Sequence, residues 1–105
     1  MKVRIARSAR QDLEKIGDWI ARDSPRRALT FVEELRERCD ALGKYPHAFP
    51  IVPRYEQSGL RRRVFGDYLI FYVIRDEEVL VLRILHGSRD YEALLFPDGA
   101  TDPEP

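Results

Sequence analysis

Residues 61–86, RRRVFGDYLIFYVIRDEEVLVLRILH, decide the fold, because they contain three apolar runs separated by two turn signals. Gly66-Asp67 suits a two-residue hairpin turn between the first two runs. Asp76-Glu77-Glu78 then reverses the chain before the third run. The runs 61–65, 68–75 and 79–86 therefore predict a meander of three antiparallel strands.

Two helices are predicted upstream of this meander. Ser8 provides a capping-box start for the first helix, and apolar residues follow it at helical spacing. Ser24-Pro25 starts a second helix, and Gly43 ends its apolar stripe. The short break between them predicts an antiparallel helical hairpin, and residues 2–6, KVRIA, predict a strand before it.

Length and composition predict a single domain of the α+β class. A chain of 105 residues can bury a core without disulfides or metals. We expect residues 1–95 to form it, with the N-terminal strand, helical hairpin and meander completing a small curved sheet. Residues 96–105 have the composition of a disordered acidic tail. Three prolines in residues 43–59 predict an extended surface loop.

The formal net charge of zero conceals an uneven distribution of charge. Residues 1–91 contain all 18 Lys and Arg against 14 acids, which gives +4, whereas residues 92–105 contain four acids and no base. A charge of +4 is modest for a dedicated nucleic-acid binder. Local arginine patches are therefore the expected contact surfaces.

The sequence also predicts the cellular compartment. A single cysteine, Cys39, cannot form an internal disulfide, and the N-terminal MKVR begins no export leader. The longest apolar run, residues 69–74, is far shorter than the roughly 20 residues that cross a bilayer. We therefore expect a cytoplasmic protein with no membrane segment, in which Cys39 is a core residue of the second helix.

Both faces of the predicted sheet are apolar, so both require cover. The two helices cover one face only, which leaves the loop, another copy or a partner chain to cover the other, and we favour a partner. Trp19, at the edge of the apolar stripe of the first helix, is a further candidate contact. In the strand 68–75, strict alternation places Tyr68, Ile70, Tyr72 and Ile74 on one side and Leu69, Phe71 and Val73 on the other. In the strand 79–86, it places Val79, Val81, Arg83 and Leu85 on one side and Leu80, Leu82, Ile84 and His86 on the other.

Arginines cluster near the strand ends. Arg61, Arg62 and Arg63 are either a recognition surface or a solvated strand start that discourages edge pairing. Arg83 lies among apolar residues, and unless it reaches water it requires an acidic partner, such as an Asp or Glu on a helix.

The segment after the last strand contains the residues best suited to chemistry. His86, Arg89 and Tyr91 could exchange protons and hold a phosphate, and with Glu56 as a second proton-transfer group they could cleave RNA without a metal. The alternative is a histidine that closes the strand, with local salt links beside Arg89. His47 and His86 lie far apart and lack neighbouring Cys or spaced carboxylates, so we expect no metal site and no cofactor.

A series of residues from Val3 to Leu95 has a distinctive order and spacing. It comprises Ala9, Asp12-Leu13 and Ile16, then Ser24-Pro25, Ala28 and Phe31, then Leu42, Pro46, Leu60-Arg61, Tyr68 and Tyr72, and finally LRILHGSRDYE at 82–92. In this order they resemble the RelE/ParE superfamily of bacterial toxins from type II toxin–antitoxin systems. The resemblance implies a strand, a helical hairpin and a curved antiparallel sheet, and a small antitoxin that wraps the toxin.

The resemblance implies two alternative mechanisms. ParE-like members poison DNA gyrase, whereas RelE-like members cut mRNA in the ribosomal A site with basic residues and a tyrosine or histidine. The chain has Lys2, Lys15 and Lys44 only, none on the strands where lysine-using nucleases carry theirs. The Arg-Asp-Tyr segment after His86-Gly87 looks more like ParE.

The favoured hypothesis is therefore a gyrase inhibitor without catalytic residues, in a hetero-oligomer with a ParD-like antitoxin. Its predicted target-binding residues are Arg61, Arg62, Arg63, Arg83 and Arg89, and its predicted antitoxin-binding residues are Trp19, Leu69, Phe71 and Val73. The alternative hypothesis is a ribosome-dependent, metal-independent mRNA endoribonuclease that uses Glu56, Arg63, Arg83, His86 and Tyr91. A third is an interaction module without toxicity.

Overall fold

The structure, a computed structural model, describes residues 1–96 and confirms the α+β class. The elements are β1 (Lys2–Ile5), α1 (Arg7–Ala21), α2 (Pro25–Asp40), a 3₁₀ turn (Ala41–Gly43), β2 (Arg61–Phe65), β3 (Tyr68–Arg75), β4 (Glu78–His86) and α3 (Tyr91–Leu95). The order of strands and long helices is as predicted, and the short α3 is an addition. Of the predicted tail, Phe96 is packed in the domain, and residues 97–105 lie outside the described residues.

The four strands form one open sheet in the order β1-β4-β3-β2. Strands β2, β3 and β4 pair antiparallel, as predicted, whereas β1 pairs parallel to β4. The sheet is therefore mixed, and the expectation of an antiparallel sheet is wrong for β1. Parallel neighbours need a long connection, and residues 6–77, which include the helical hairpin, β2 and β3, provide it.

The starts of the two long helices differ in their capping. Ser24 caps α2 as predicted, since its hydroxyl accepts a hydrogen bond from the Arg27 backbone N–H at 3.2 Å. The predicted Ser8 cap of α1 is wrong. Ala6 is the N-cap, and its methyl side chain cannot accept a hydrogen bond. Its backbone N–H donates to the Val81 carbonyl, which extends the pairing of β1 with β4 to the start of the helix.

The helices α1 and α2 cover one face of the sheet, here called the helix face. The main core lies between these helices and the sheet, with Leu13 and Ile16 from α1 packed beside Leu35 and Cys39 from α2. Burial raises the pKa of the Cys39 thiol to about 12, so the thiol is protonated at neutral pH. The predicted core position of Cys39 is confirmed.

A β-bulge breaks the alternation predicted for β4. Its pairing with β3 steps from Val81 to Arg83 while β3 advances by one residue, so Leu82 is the extra residue. Val81 consequently packs in the core on the helix face, whereas Leu85 packs on the opposite face. The prediction that they share a face is wrong, because one inserted residue moves every later side chain to the other side.

The face of the sheet opposite the helices, here called the loop face, is covered by the chain itself. Val52, Tyr55 and Leu60 from the proline-containing loop are buried against it. Residues of α3 and Phe96 pack beside them, and the rings of Tyr55 and Phe96 stack with centroids 4.3 Å apart.

This cover corrects the prediction of an open apolar surface. Leu69, Phe71 and Val73 lie beneath the loop and α3, and none of them is more than 9% exposed. They are therefore not accessible to an antitoxin in this structure. The loop covers this face, rather than another copy or a partner chain, because the loop carries large apolar side chains of its own.

Candidate functional site

Arg83 of β4 is held by Asp12 of α1. Arg83 Nε and Nη2 donate to Asp12 Oδ2 and Oδ1 at 2.8 and 2.9 Å, and the Ile84 backbone N–H donates to Oδ2 at 2.9 Å. The hydrogen bonds that Arg83 donates to Asp12, which is 5% exposed, raise the pKa of Arg83 above its ordinary value. The predicted ion pair with a helix acid is confirmed, so Arg83 has a structural partner.

The other predicted target-binding arginines fall into two groups. Arg61 Nη1 donates to the Phe49 carbonyl at 2.7 Å, and Arg63 Nη1 donates to a carbonyl of α2 at 3.1 Å. Burial and a neighbouring arginine lower the pKa of Arg63. The side chains of Arg62 and Arg89 make no hydrogen bond, ion pair or ring contact within residues 1–96. Within residues 1–96, three of the five arginines are therefore bonded to other parts of the fold and two are not.

Two of the residues proposed for a nuclease, Arg63 and His86, lie on the helix face, and Arg83 is held by α1. Arg63 reaches α2 and Arg83 reaches α1 through the bonds just described. His86 lies edge-on to the ring of Tyr68, with centroids 5.2 Å apart.

The other two nuclease candidates lie on the loop side. Tyr91 of α3 packs on Phe71, with ring centroids 5.0 Å apart. Glu56 is exposed in the covering loop, where its Oε1 accepts a hydrogen bond from the Arg54 backbone N–H at 3.1 Å. Because the sheet separates Tyr91 and Glu56 from Arg63 and His86, the structure does not bring the set together.

A cleft between α1 and the end of β4, here called the α1–β4 cleft, combines apolar and cationic residues. The buried side chains of Ile16 and Ile84 form its floor. The exposed side chains of Lys15, Trp19 and Arg89 form its rim. Trp19 is 63% exposed.

Sequence reasoning missed Lys15 as a member of a site. Asp12, Lys15, Ile16 and Trp19 recur at intervals of three and four residues, which places them on one side of α1. That spacing is visible in the sequence. Only the packing of α1 against β4 shows that Arg89 and His86 lie beside the same side of the helix.

The two rings beside Arg89 carry hydrogen-bond donors. The Ser88 backbone N–H donates to His86 Nδ1 at 3.1 Å, and the Ser88 hydroxyl lies 2.7 Å from the same nitrogen. A ring nitrogen that accepts a backbone N–H carries no proton, so the neutral imidazole is protonated on Nε2. Burial and Asp67 raise the pKa of the Tyr68 phenol, which therefore keeps its proton.

A second depression follows the outer side of the helical hairpin. Gly17 and Ala28 line it with little side-chain volume, and Leu29 is 76% exposed beside them. Leu29 and Trp19 are thus two large apolar side chains that the helices present to solvent.

Within the described residues 1–96, no three His, Cys, Asp or Glu side chains are grouped closely enough to hold a metal ion. The same part of the chain contains no helix with the length and apolarity needed to span a bilayer.

Comparisons with known proteins agree with this geometry. A family model described as ParE toxin of type II toxin-antitoxin system, parDE, matches residues 3–91. Among solved structures, a chromosomal ParDE toxin–antitoxin system from P. aeruginosa is similar with a TM-score of 0.70 and 22% identity, over 82% of this chain and 95% of that chain. The toxin–antitoxin complex RelBE2 from Mycobacterium tuberculosis has a TM-score of 0.60 and 28% identity, over 81% and 95%.

No curated protein sequence matches the chain. The family model nevertheless spans most of its length, and the two structural relatives share its fold over about four-fifths of the chain. The chain belongs to the ParE toxin family of type II toxin–antitoxin systems, within the RelE/ParE superfamily that its sequence resembles.

Proposed function

We propose that this toxin inhibits DNA gyrase by protein contact and is neutralised when a ParD-like antitoxin binds it directly. Membership of the ParE family supports gyrase as the target, because the resemblance implies that ParE-like toxins poison that enzyme. The observation that carries the proposal is the separation of the nuclease candidates by the sheet.

A nuclease that works without a metal needs its acid, its base and its phosphate-binding groups around a single phosphate. In this toxin Arg63 and Arg83 are hydrogen-bonded to the helices, whereas Tyr91 packs on the opposite face of the sheet. A single phosphate cannot contact both sides of the sheet. Inhibition by contact is therefore the better supported mechanism.

Two of the predicted target-binding arginines are free to make such a contact. The side chains of Arg62 and Arg89 have no partner within residues 1–96, so a carboxylate of gyrase could bind either one without breaking an existing bond. Arg61, Arg63 and Arg83 instead hold the loop, α2 and α1 in place. We assign contact to the first two and a structural role to the other three.

An antitoxin partner is supported by both structural relatives, which are toxin–antitoxin systems. The exposed side chains of Trp19 and Leu29 are the best contacts for it, because large apolar groups on a helix surface commonly mark protein interfaces. A gyrase target also implies that the toxin acts in the cytoplasm.

The test compares two assays of the purified toxin. Relaxed plasmid is incubated with gyrase and ATP, and mRNA is incubated in parallel on programmed ribosomes. We expect loss of supercoiling and intact mRNA. Cutting of the message at codon positions, with gyrase unaffected, would overturn the proposal in favour of the endoribonuclease.

The same assay tests the two free arginines. We expect Arg62→Ser combined with Arg89→Ser to weaken gyrase inhibition roughly tenfold or more, as for the loss of interface arginines elsewhere. Arg26→Ser, at an exposed position of α2, is the matched control and should leave inhibition unchanged.

A further inference from the structure

We infer that the α1–β4 cleft binds an acidic segment of the antitoxin, with a carboxylate at Lys15 and Arg89 and an apolar side chain against Trp19 and the cleft floor. The inference rests on the proposed antitoxin partner and adds the place and the chemistry of its binding. The charge of the cleft, its floor and its position carry it.

The cleft is positively charged although the chain is neutral overall. Lys15 and Arg89 are exposed on its rim and have no acidic partner within residues 1–96. The guanidinium of Arg22 adds a third cation, 5.1 Å from the centre of the Trp19 ring. Asp12 is the one acid among the described lining residues, and Arg83 already neutralises it through two hydrogen bonds. An anionic occupant is therefore favoured.

The floor indicates which kind of anion fits. Ile16 and Ile84 present buried aliphatic surface at the base of the cleft, and the Trp19 ring stands exposed beside it. Free phosphate would leave this apolar surface unused. A peptide that alternates acidic and aliphatic side chains satisfies both the rim and the floor, and a tryptophan at such a site commonly contributes a large share of binding energy.

The position of the cleft links its occupant to neutralisation. Arg89 is one of the two arginines that we assign to gyrase contact, and it lies on the cleft rim. An antitoxin segment in the cleft would cover Arg89 and so block the target directly. Charge complementarity would also speed the encounter of the two proteins and make it sensitive to salt.

Trp19 provides the readout, because it is the only tryptophan of the chain and lies on the cleft rim. The purified toxin is titrated with the acetylated peptide Glu-Leu-Glu-Leu-Glu-amide at low and at high salt. We expect a saturable change in Trp19 fluorescence with a dissociation constant of about 1 mM or below, weakening as salt is added. Lys15→Glu should weaken binding tenfold or more on the same scale, roughly one unit of log Kd.

The controls use the same chain and matched probes. Lys44→Glu reverses an exposed charge outside the cleft and should bind the acidic peptide as the unmodified toxin does. Circular dichroism must show both variants folded. The inference is overturned if the acidic peptide causes no saturable change in Trp19 fluorescence, or if Lys-Leu-Lys-Leu-Lys-amide causes an equal change. It is also overturned if the two variants lose equal affinity for the acidic peptide, or if the toxin binds oligothymidylate in preference to that peptide. The peptide titration contains no gyrase. Its result therefore does not depend on the supercoiling assay, which tests the proposed target separately.

Discussion

Asp12 is the residue that joins the helices to the sheet. Its carboxylate accepts two hydrogen bonds from Arg83 and one from the Ile84 backbone N–H, across a sequence separation of about 71 residues. The need for an acidic partner could be predicted, because a charged group among apolar residues is costly to bury alone. The identity of that partner could not, because many acids lie on the helices and only the packing of α1 selects one.

We expect Asp12→Asn to lower the free energy of unfolding by about 3 kcal/mol, since it leaves a mostly buried Arg83 without its counter-ion. Urea unfolding followed by circular dichroism measures the change. Asp18→Asn, at an exposed position of the same helix, is the control and should change it by less than about 0.5 kcal/mol. Small and equal losses in both variants would mean that the ion pair does not stabilise the fold.

At the scale of the elements, the two helix starts allow a direct comparison of caps. Ser24→Ala removes the hydroxyl that accepts the Arg27 backbone N–H, and we expect it to reduce the free energy of unfolding by about 1 kcal/mol. Ser8→Ala removes a hydroxyl that makes no cap bond, so it should have little effect. Thermal unfolding of both variants tests this, and a larger loss for Ser8→Ala would contradict the described start of α1.

The element that the sequence did not predict is α3. Asp90 accepts a hydrogen bond from the Ala93 backbone N–H, and apolar residues at 91, 94 and 95 have helical spacing, so a cap and a stripe were both present. Five residues are too few for that pattern to stand out from a loop. The consequence was large, because α3 and residues 52–60 cover the face that was expected to be open.

For the whole molecule, local pattern predicted the strands, the helical hairpin and the class, because hydrophobic periodicity and turn residues act over short distances. Features that depend on long-range packing were not predictable. The parallel pairing of β1, the bulge at Leu82 and the cover of the loop face all required the sheet to be assembled first. The α1–β4 cleft belongs to the same class, since it combines a helix side with the end of a distant strand.

The sheet also separates residues that belong to the two alternative mechanisms. The helix face presents the cleft with Arg89, whereas the loop face contains Tyr91 and the loop that carries Glu56. Neither of the last two has a chemical role if the toxin acts by contact. Replacing both conservatively should therefore leave the toxin active.

The most direct test is gyrase supercoiling in the presence of the double variant Glu56→Gln with Tyr91→Phe. These changes remove a carboxylate and a phenolic hydroxyl but keep the size of each side chain, so Tyr91→Phe should preserve the ring contact with Phe71. We expect inhibition within about twofold of the unmodified toxin, and no mRNA cleavage by either protein on programmed ribosomes. Inhibition by contact would be contradicted if the unmodified toxin cuts mRNA and the double variant loses both this cleavage and its toxicity.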